Sequence, residues 1–375
     1  MKVDKSKRKI CLLEEICSIR TGKKDANHAD DNGCYPFFTC GAIPLKSTTY
    51  SFEGANLIVP GNGDIGRCFY YDGKIEAYQR TYVIQLKDNS NIDTKYLYSI
   101  FKACWKSYIE NKILGAAMPY IKLGYLNSFP IPIYDLDIQL LITSELDAMQ
   151  AMIDGYKAQI ADLDALAQSI FHNTFGNVAI NDKCWNIIPM GQLGNFKNGL
   201  NYSKEERGKS VKIIGVGDFH CIKCISSFDN ISYIEVEDTP QEYLLHNEDI
   251  IFVRSNGNKN LVGRCLEVFP NNTEVTFSGF CIRFRKSVEI INKYLISLLT
   301  DIEFKNTHIL KSNGIGIQNI NQKLLSSLPI PVPPIDIQKK YAIQVEAIEK
   351  QKELIRQQVT DAETLMAERM QYYFS

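Results

Sequence analysis

A chain of 375 residues, 45% of them hydrophobic and 23% charged, has ample apolar material for two or three globular domains, which excludes a disordered or fibrous protein. Its 42 bases and 43 acids leave a formal net charge of -1, so the total gives no sign of a polyanionic partner. No apolar run approaches the roughly eighteen residues of a membrane span. The amino-terminal MKVDKSKRKI lacks a hydrophobic stretch after its charges, and the 11 cysteines are scattered, with Cys40, Cys68, Cys104, Cys265 and Cys281 in apolar surroundings. A cytoplasmic protein with reduced thiols is expected.

The first element is an apolar segment through Leu13, Ile16 and Ile19 that ends at Gly22, followed by a β-rich region. NLIVP at 56 to 60 reads as a buried strand entering an Asn62-Gly63 turn and a further strand, that is, a hairpin. GNGDIG at 61 to 66 satisfies the spacing of a dinucleotide-binding loop, but an aromatic and β-branched stretch follows where that loop must open a helix. A nucleotide site is therefore not expected there. Residues 93 to 112 carry apolar side chains at spacings of three and four, predicting a helix, and GAAMPYIKL at 115 to 123 is a glycine-bearing loop. SFPIPIYDLDIQ at 128 to 139 comes next. Its prolines force extended backbone, and Asp137 offers an N-cap carboxylate to the element that follows. That element is a long helical pattern with a seam at Leu146, Met149, Ile153, Tyr156, Ile160, Leu163 and Ile170.

The same order then repeats. A second apolar segment (Met190, Leu193, Phe196) ends at Gly199, DIIFV at 249 to 253 matches NLIVP, and Gly263-Arg264-Cys265 matches Gly66-Arg67-Cys68. Lys293-Tyr294-Leu295 matches Lys95-Tyr96-Leu97, and SLPIPVPPIDIQ at 327 to 338 matches the first proline phrase, with Asp336 in the place of Asp137. The second copy carries roughly twenty extra residues between Gly199 and Gly263. A second seam follows at Val345, Ile348, Ile355, Val359 and Met366. The chain thus divides into a module at 1–134, a helix at 135–176, a module at 177–332 and a helix at 333–375. The fold class is α+β, with two mixed α/β modules and two long helices.

Each helix, at about 1.5 Å per residue, exceeds the depth of one module's core, so the two most simply pair as an antiparallel coiled coil that separates the modules about a pseudo-twofold axis. Residues 135 to 172 hold seven acids and one lysine, while 336 to 369 hold seven acids and six bases, so the second helix can offset the first's repulsion. The competing reading folds each helix back onto its own module. Without these helices the modules hold 29 acids and 35 bases, a basic excess that the whole-chain charge conceals.

Two similar basic modules on a spacer match a bipartite duplex DNA site. Arg20, Lys23, Lys24, Lys197 and Asn198 suit phosphate contacts, Arg67, Gln79, Arg80, Arg254, Asn256, Asn258, Lys259 and Arg264 carry groups able to reach base edges, and the turn residue Asn62 is a further DNA-binding candidate. HCIKC at 220 to 224 contains a zinc-like pair, Cys221 and Cys224, without the second pair of a closed site, so no metal is expected. An Asn-Pro-Pro-aromatic tetrapeptide, a complete phosphate loop and a nucleophile with its base are all missing, and the chain is expected to be non-catalytic.

FPIPIYDLDIQ and LPIPVPPIDIQ, each closing a module that opens like LLEEICSIRTGKK or IIPMGQLGNFKNG and each leading a long helix, resemble the specificity subunit (HsdS) of type I restriction-modification systems over nearly the whole chain. The resemblance implies two target-recognition domains that each read half of a split site, and spacer helices that recruit two methyltransferase subunits and, for cleavage, restriction subunits. It places S-adenosylmethionine, and ATP with magnesium, in those partners. The Asp-Ile-Gln of both phrases departs from the family's more usual Glu-Gln. A scaffold binding protein partners through its helices is the alternative, and it leaves the basic excess of the modules unexplained.

Overall fold

The computed structural model describes residues 3–88, 90–113, 119–202, 208–219, 224–237, 240–255, 257–258, 261–310 and 319–375. The chain forms two compact units, Met1–Gln159 with Ile355–Ser375, and Ile160–Leu354. No helix among the described residues is long and apolar enough to cross a membrane.

In the first unit a four-stranded antiparallel sheet runs in the order Cys17–Thr21, Thr81–Leu86, Ala55–Pro60, Phe69–Asp72. Leu57 and Val59 face a core shared with the helices, whereas Ile58 and Val83 face Phe38 and Phe52 of a second layer. That layer contains the three-stranded sheet Leu45–Ser47, Tyr35–Phe38, Glu76–Ala77. Burial of both faces explains why NLIVP reads as a continuous apolar run rather than an alternation. It forms the expected hairpin with Phe69–Asp72, but through an eight-residue connection at 61–68 rather than a tight Asn-Gly turn. GNGDIG lies in that connection and leads into a strand, as its context predicts. The helix at 93 to 112 begins when Asp93 accepts a hydrogen bond from the Tyr96 N–H at 2.7 Å, and its Phe101–Trp105 turn is a π-helix.

The second unit repeats the plan. Its main sheet runs Gly194–Asn198, Cys281–Lys286, Asp249–Val253, Cys265–Val268, with Cys224–Ile225 added as a parallel edge strand from the extra residues. A three-stranded sheet of Tyr233–Val236, Lys209–Ile214 and Val275–Phe277 covers one face. The helix Asn292–Thr300, which carries the repeated Lys-Tyr-Leu, ends at Asp301. There the backbone is extended and the carboxylate caps a new turn by accepting from the Phe304 N–H at 2.9 Å, a local option the apolar spacing does not register.

Both long helices are 40 residues, Leu136–Phe175 and Ile335–Phe374. Asp137 and Asp336 lie inside the first turn rather than at the N-cap, which falls one position before each helix, at residues 135 and 334. They still place negative charge at the positive helix end. In the first unit Glu145 pairs with Arg369 at 2.6 Å and Lys157 with Glu363 at 2.7 Å. In the second unit Asp164 pairs with Lys352 at 2.6 Å, and the Phe171 ring meets the Tyr341 ring at 5.7 Å. Within each unit one helix ascends as its partner descends, so the helix halves are antiparallel and join acids to bases as the charge pattern requires. Leu146, Ile153, Val345, Ile348, Ile355 and Met366 are buried on the seam, and Met149, Tyr156, Ile160, Leu163, Ile170 and Val359 are half-buried. The helices also rest on the module of each unit, so pairing and folding back occur together.

Candidate nucleic-acid interface

In the first unit four separate segments meet at a cleft of about 420 Å³ lined by Thr21, Gly61, Asn62, Gln79, Arg80, Tyr82, Pro119, Tyr120 and Ile121. A turn closes it, with the Thr81 N–H donating to the Tyr78 carbonyl at 2.8 Å. On one side the Gln79 N–H donates to the Lys24 carbonyl at 2.9 Å. On the other, the Arg80 carbonyl accepts from the Gly61 N–H and the Gly61 carbonyl accepts from the Ile121 N–H, both at 2.8 Å. The approach of the 21–24 segment requires Gly22, where an added Cβ would lie 1.9 Å from the Ala77 carbonyl oxygen.

Asn62, Gln79 and Arg80 thus converge although they lie in two stretches of sequence. Gln79 is exposed and weakly held, its amide donating to Asp25 at 3.4 Å. Arg80 is exposed, and its guanidinium has no partner among the described residues. Lys23 is exposed beside them, and Lys24 is half-buried. The cleft also holds residues the sequence reading did not nominate. Tyr120 is 55% exposed, with the Lys122 ammonium 5.8 Å from its ring centre. Tyr82 donates its hydroxyl to the Ile121 carbonyl at 3.1 Å, and burial pushes its pKa up. The available signal was the aromatic of PYIKL in the glycine-bearing loop, of which residues 115–118 lie outside the described residues.

The second unit rebuilds this framework with other side chains. The Cys281 N–H donates to the Ser278 carbonyl at 2.8 Å, and the Gly279 N–H to the Leu200 carbonyl at 2.8 Å. The Phe280 carbonyl accepts from the Arg254 N–H at 2.8 Å, and the Arg254 carbonyl from the Ile320 N–H at 2.9 Å. A Cβ at Gly199 would lie 2.1 Å from the Ser278 carbonyl oxygen, as at Gly22. Gly279-Phe280 therefore stands where Gln79-Arg80 stands in the first unit.

The other nominated residues are placed differently. Arg20 and Lys197 occupy equivalent strand positions, paired with Val83 and Arg283, on the face turned to the second layer. Arg20 bonds Gln85 and lies over Phe52, and Lys197 pairs with Glu242 at 2.6 Å over the Tyr243 ring. Both cations are tied to their own unit. Arg67 pairs with Asp64 at 2.6 Å, Arg254 donates to the Gly279 carbonyl at 3.3 Å, and Arg264 donates to the Phe219 carbonyl at 3.3 Å. Asn198 is exposed at the end of its strand, and Asn258 is exposed with its carbonyl accepting from the Leu261 N–H. Asn256 and Lys259 lie outside the described residues, as does Cys221; Cys224 is exposed. Among the described residues no group of three His, Cys, Asp or Glu is placed to hold a metal ion.

The family model described as "Type I restriction modification DNA specificity domain" matches residues 6–164 and again 174–363. The type I restriction enzyme EcoDI specificity subunit of Escherichia coli is 27% identical over 377 residues, spanning 93% of this chain and 83% of that protein. The StySPI specificity subunit of Salmonella potsdam is 27% identical over 280 residues, or 69% of this chain and 59% of that one. Among solved structures, the type I restriction-modification system S subunit from M. genitalium has a similar fold. It superposes with a TM-score of 0.59 at 16% identity, covering 100% of this chain and 98% of that one.

Proposed function

We infer the function from one premise: the chain belongs to the type I restriction modification DNA specificity family. Each unit reads one half of a bipartite duplex DNA site. The observation that carries this reading is that the two units repeat one hydrogen-bonded framework around Gly22 and Gly199 yet present different side chains on it, Gln79-Arg80 in one and Gly279-Phe280 in the other. A shared frame with unlike readers is what an asymmetric split site needs, because backbone geometry positions a reader while side chains specify the base. The basic excess of the modules supplies attraction to phosphates. The long helices set the gap between half-sites and carry the surface that recruits two methyltransferase subunits, with restriction subunits joining for cleavage. S-adenosylmethionine, and ATP with magnesium, act in those partners.

Selection from random duplex pools, using the purified chain together with its methyltransferase partner, tests the reading. A motif of two fixed halves around an unspecified gap is expected, bound with steep salt dependence. Enrichment of no split motif would sink it.

A further inference from the structure

We propose that the third residue of the Tyr78–Thr81 and Ser278–Cys281 turns, Arg80 in one unit and Phe280 in the other, is the position that makes the two half-sites differ, Arg80 contacting a guanine and Phe280 a thymine methyl group. The proposal rests on the DNA-reading function inferred above and names residues within it. Equivalence of the two positions follows from the backbone. Each turn closes from its fourth residue to its first, and the second residue's N–H is held by the segment after Gly22 or Gly199. The third residue's carbonyl is held by the end of the central strand, through Gly61 or Arg254. With these groups satisfied inside the frame, the side chain of the third residue contributes nothing to the turn. Arginine and phenylalanine can exchange there without disturbing the fold.

What the two side chains offer is chemically opposite. Arg20, Arg67, Arg254 and Arg264 are each engaged within their own unit, while the Arg80 fork has no partner among the described residues and lines the cleft with Asn62 and Gln79. Such a fork matches the paired acceptors of guanine in the major groove. Phe280 is 62% exposed beside a glycine, an apolar ring held out on a rigid turn. Such a ring cannot hydrogen-bond a base, and the apolar feature that distinguishes one base edge in that groove is the thymine methyl.

The test uses the chain assembled with its methyltransferase partner. Arg80→Ala removes the fork and every donor that could read guanine, so it is expected to relax one guanine position in one half-site and leave the other half-site intact. Phe280→Ala is expected to relax one thymine position in the opposite half-site. Both residues are exposed, so unchanged thermal midpoints establish that the variants fold. Replacing thymine by uracil at that position removes only the methyl group, and binding of the unmodified protein should fall about four-fold, the worth of one buried methyl-sized group, while Phe280→Ala binds both duplexes equally. Variants that select the original motif, or a Phe280→Ala protein that still distinguishes thymine from uracil, would overturn the assignment while the split-site function stands. Failure of the unmodified protein to select any split motif would remove both.

Discussion

The hydroxyl of Tyr96 donates to the carbonyl of Pro132 at 2.7 Å, in a fully buried setting, and Tyr294 makes the same bond to Pro331 at 2.5 Å. This ties the repeated Lys-Tyr-Leu to the repeated proline phrase. Pro130–Ile133 pairs with Lys9–Leu12, and Pro329–Val332 with Asn186–Pro189. Prolines at alternate positions remove no ladder donors when their nitrogens face away from the partner strand, and the outward carbonyls of Pro132 and Pro331 are the ones the tyrosines satisfy. Gln139 and Gln338 complete the joint. Their amides donate to the Tyr134 and Pro333 carbonyls and accept from the Asp93 and Ile291 N–H groups. Tyr96→Phe and Tyr294→Phe each leave a buried carbonyl unpaired and should cost about 1–3 kcal/mol. Chemical denaturation would read this as a lower midpoint with unchanged slope.

Gly22 and Gly199 permit backbone contact rather than an unusual torsion. A methyl group at either would collide with main-chain atoms of the adjoining turn, which cannot rotate aside. Gly22→Ala and Gly199→Ala should each destabilise by about 3 kcal/mol. They should also displace the turn bearing Arg80 or Phe280, so a variant that still folds is expected to lose recognition of one half-site. By contrast Gly257→Ala, where an added methyl group meets nothing within 4 Å among the described residues, should leave stability unchanged.

Local patterns made much of this legible in the sequence. The seam from Leu146 onward, the twin proline phrases and the apolar runs at 56–60 and 249–253 each declare themselves within a few residues. The cleft does not, because it joins Thr21, Asn62, Arg80 and Tyr120 through single backbone bonds spanning up to about sixty residues. The fate of Arg20 was partly readable: strand alternation places it opposite Ile19, which packs against the helix-side core. That its fork would be taken up by Gln85 depends on the register of the neighbouring strand, which no local pattern carries.

Glu267 is buried, with Asn292 donating to its carboxylate at 2.7 Å. Burial raises its pKa above the ordinary value, and the Asn292 hydrogen bond only partly opposes this. The folded protein therefore holds its proton more tightly than the unfolded chain. The stability this gives is complete below the unfolded pKa of about 4.3 and is lost as pH rises through the folded value. Glu267→Gln keeps the acceptor and removes the ionisation. At pH 7 it should raise stability by about 0.5–2 kcal/mol, and the gain over the unmodified protein should shrink towards zero below pH 4. An equal gain at both pH values would show that ionisation is not its source.

If the long helices set the gap between half-sites, their length should be readable in DNA. The chain passes from one unit to the other within the long helices, at Gln159–Ile160 and at Leu354–Ile355. Seven residues inserted at both places add two turns, or about 10 Å of helix, and preserve the seam's repeat. At about 3.4 Å per base-pair step the selected motif should widen by about three base pairs while both halves keep their sequence. Motif selection with the assembled complex reads the gap and the halves in one measurement. A widened gap with intact halves assigns the spacing to the helices, whereas an unchanged gap from a folded variant would place the ruler elsewhere in the assembly.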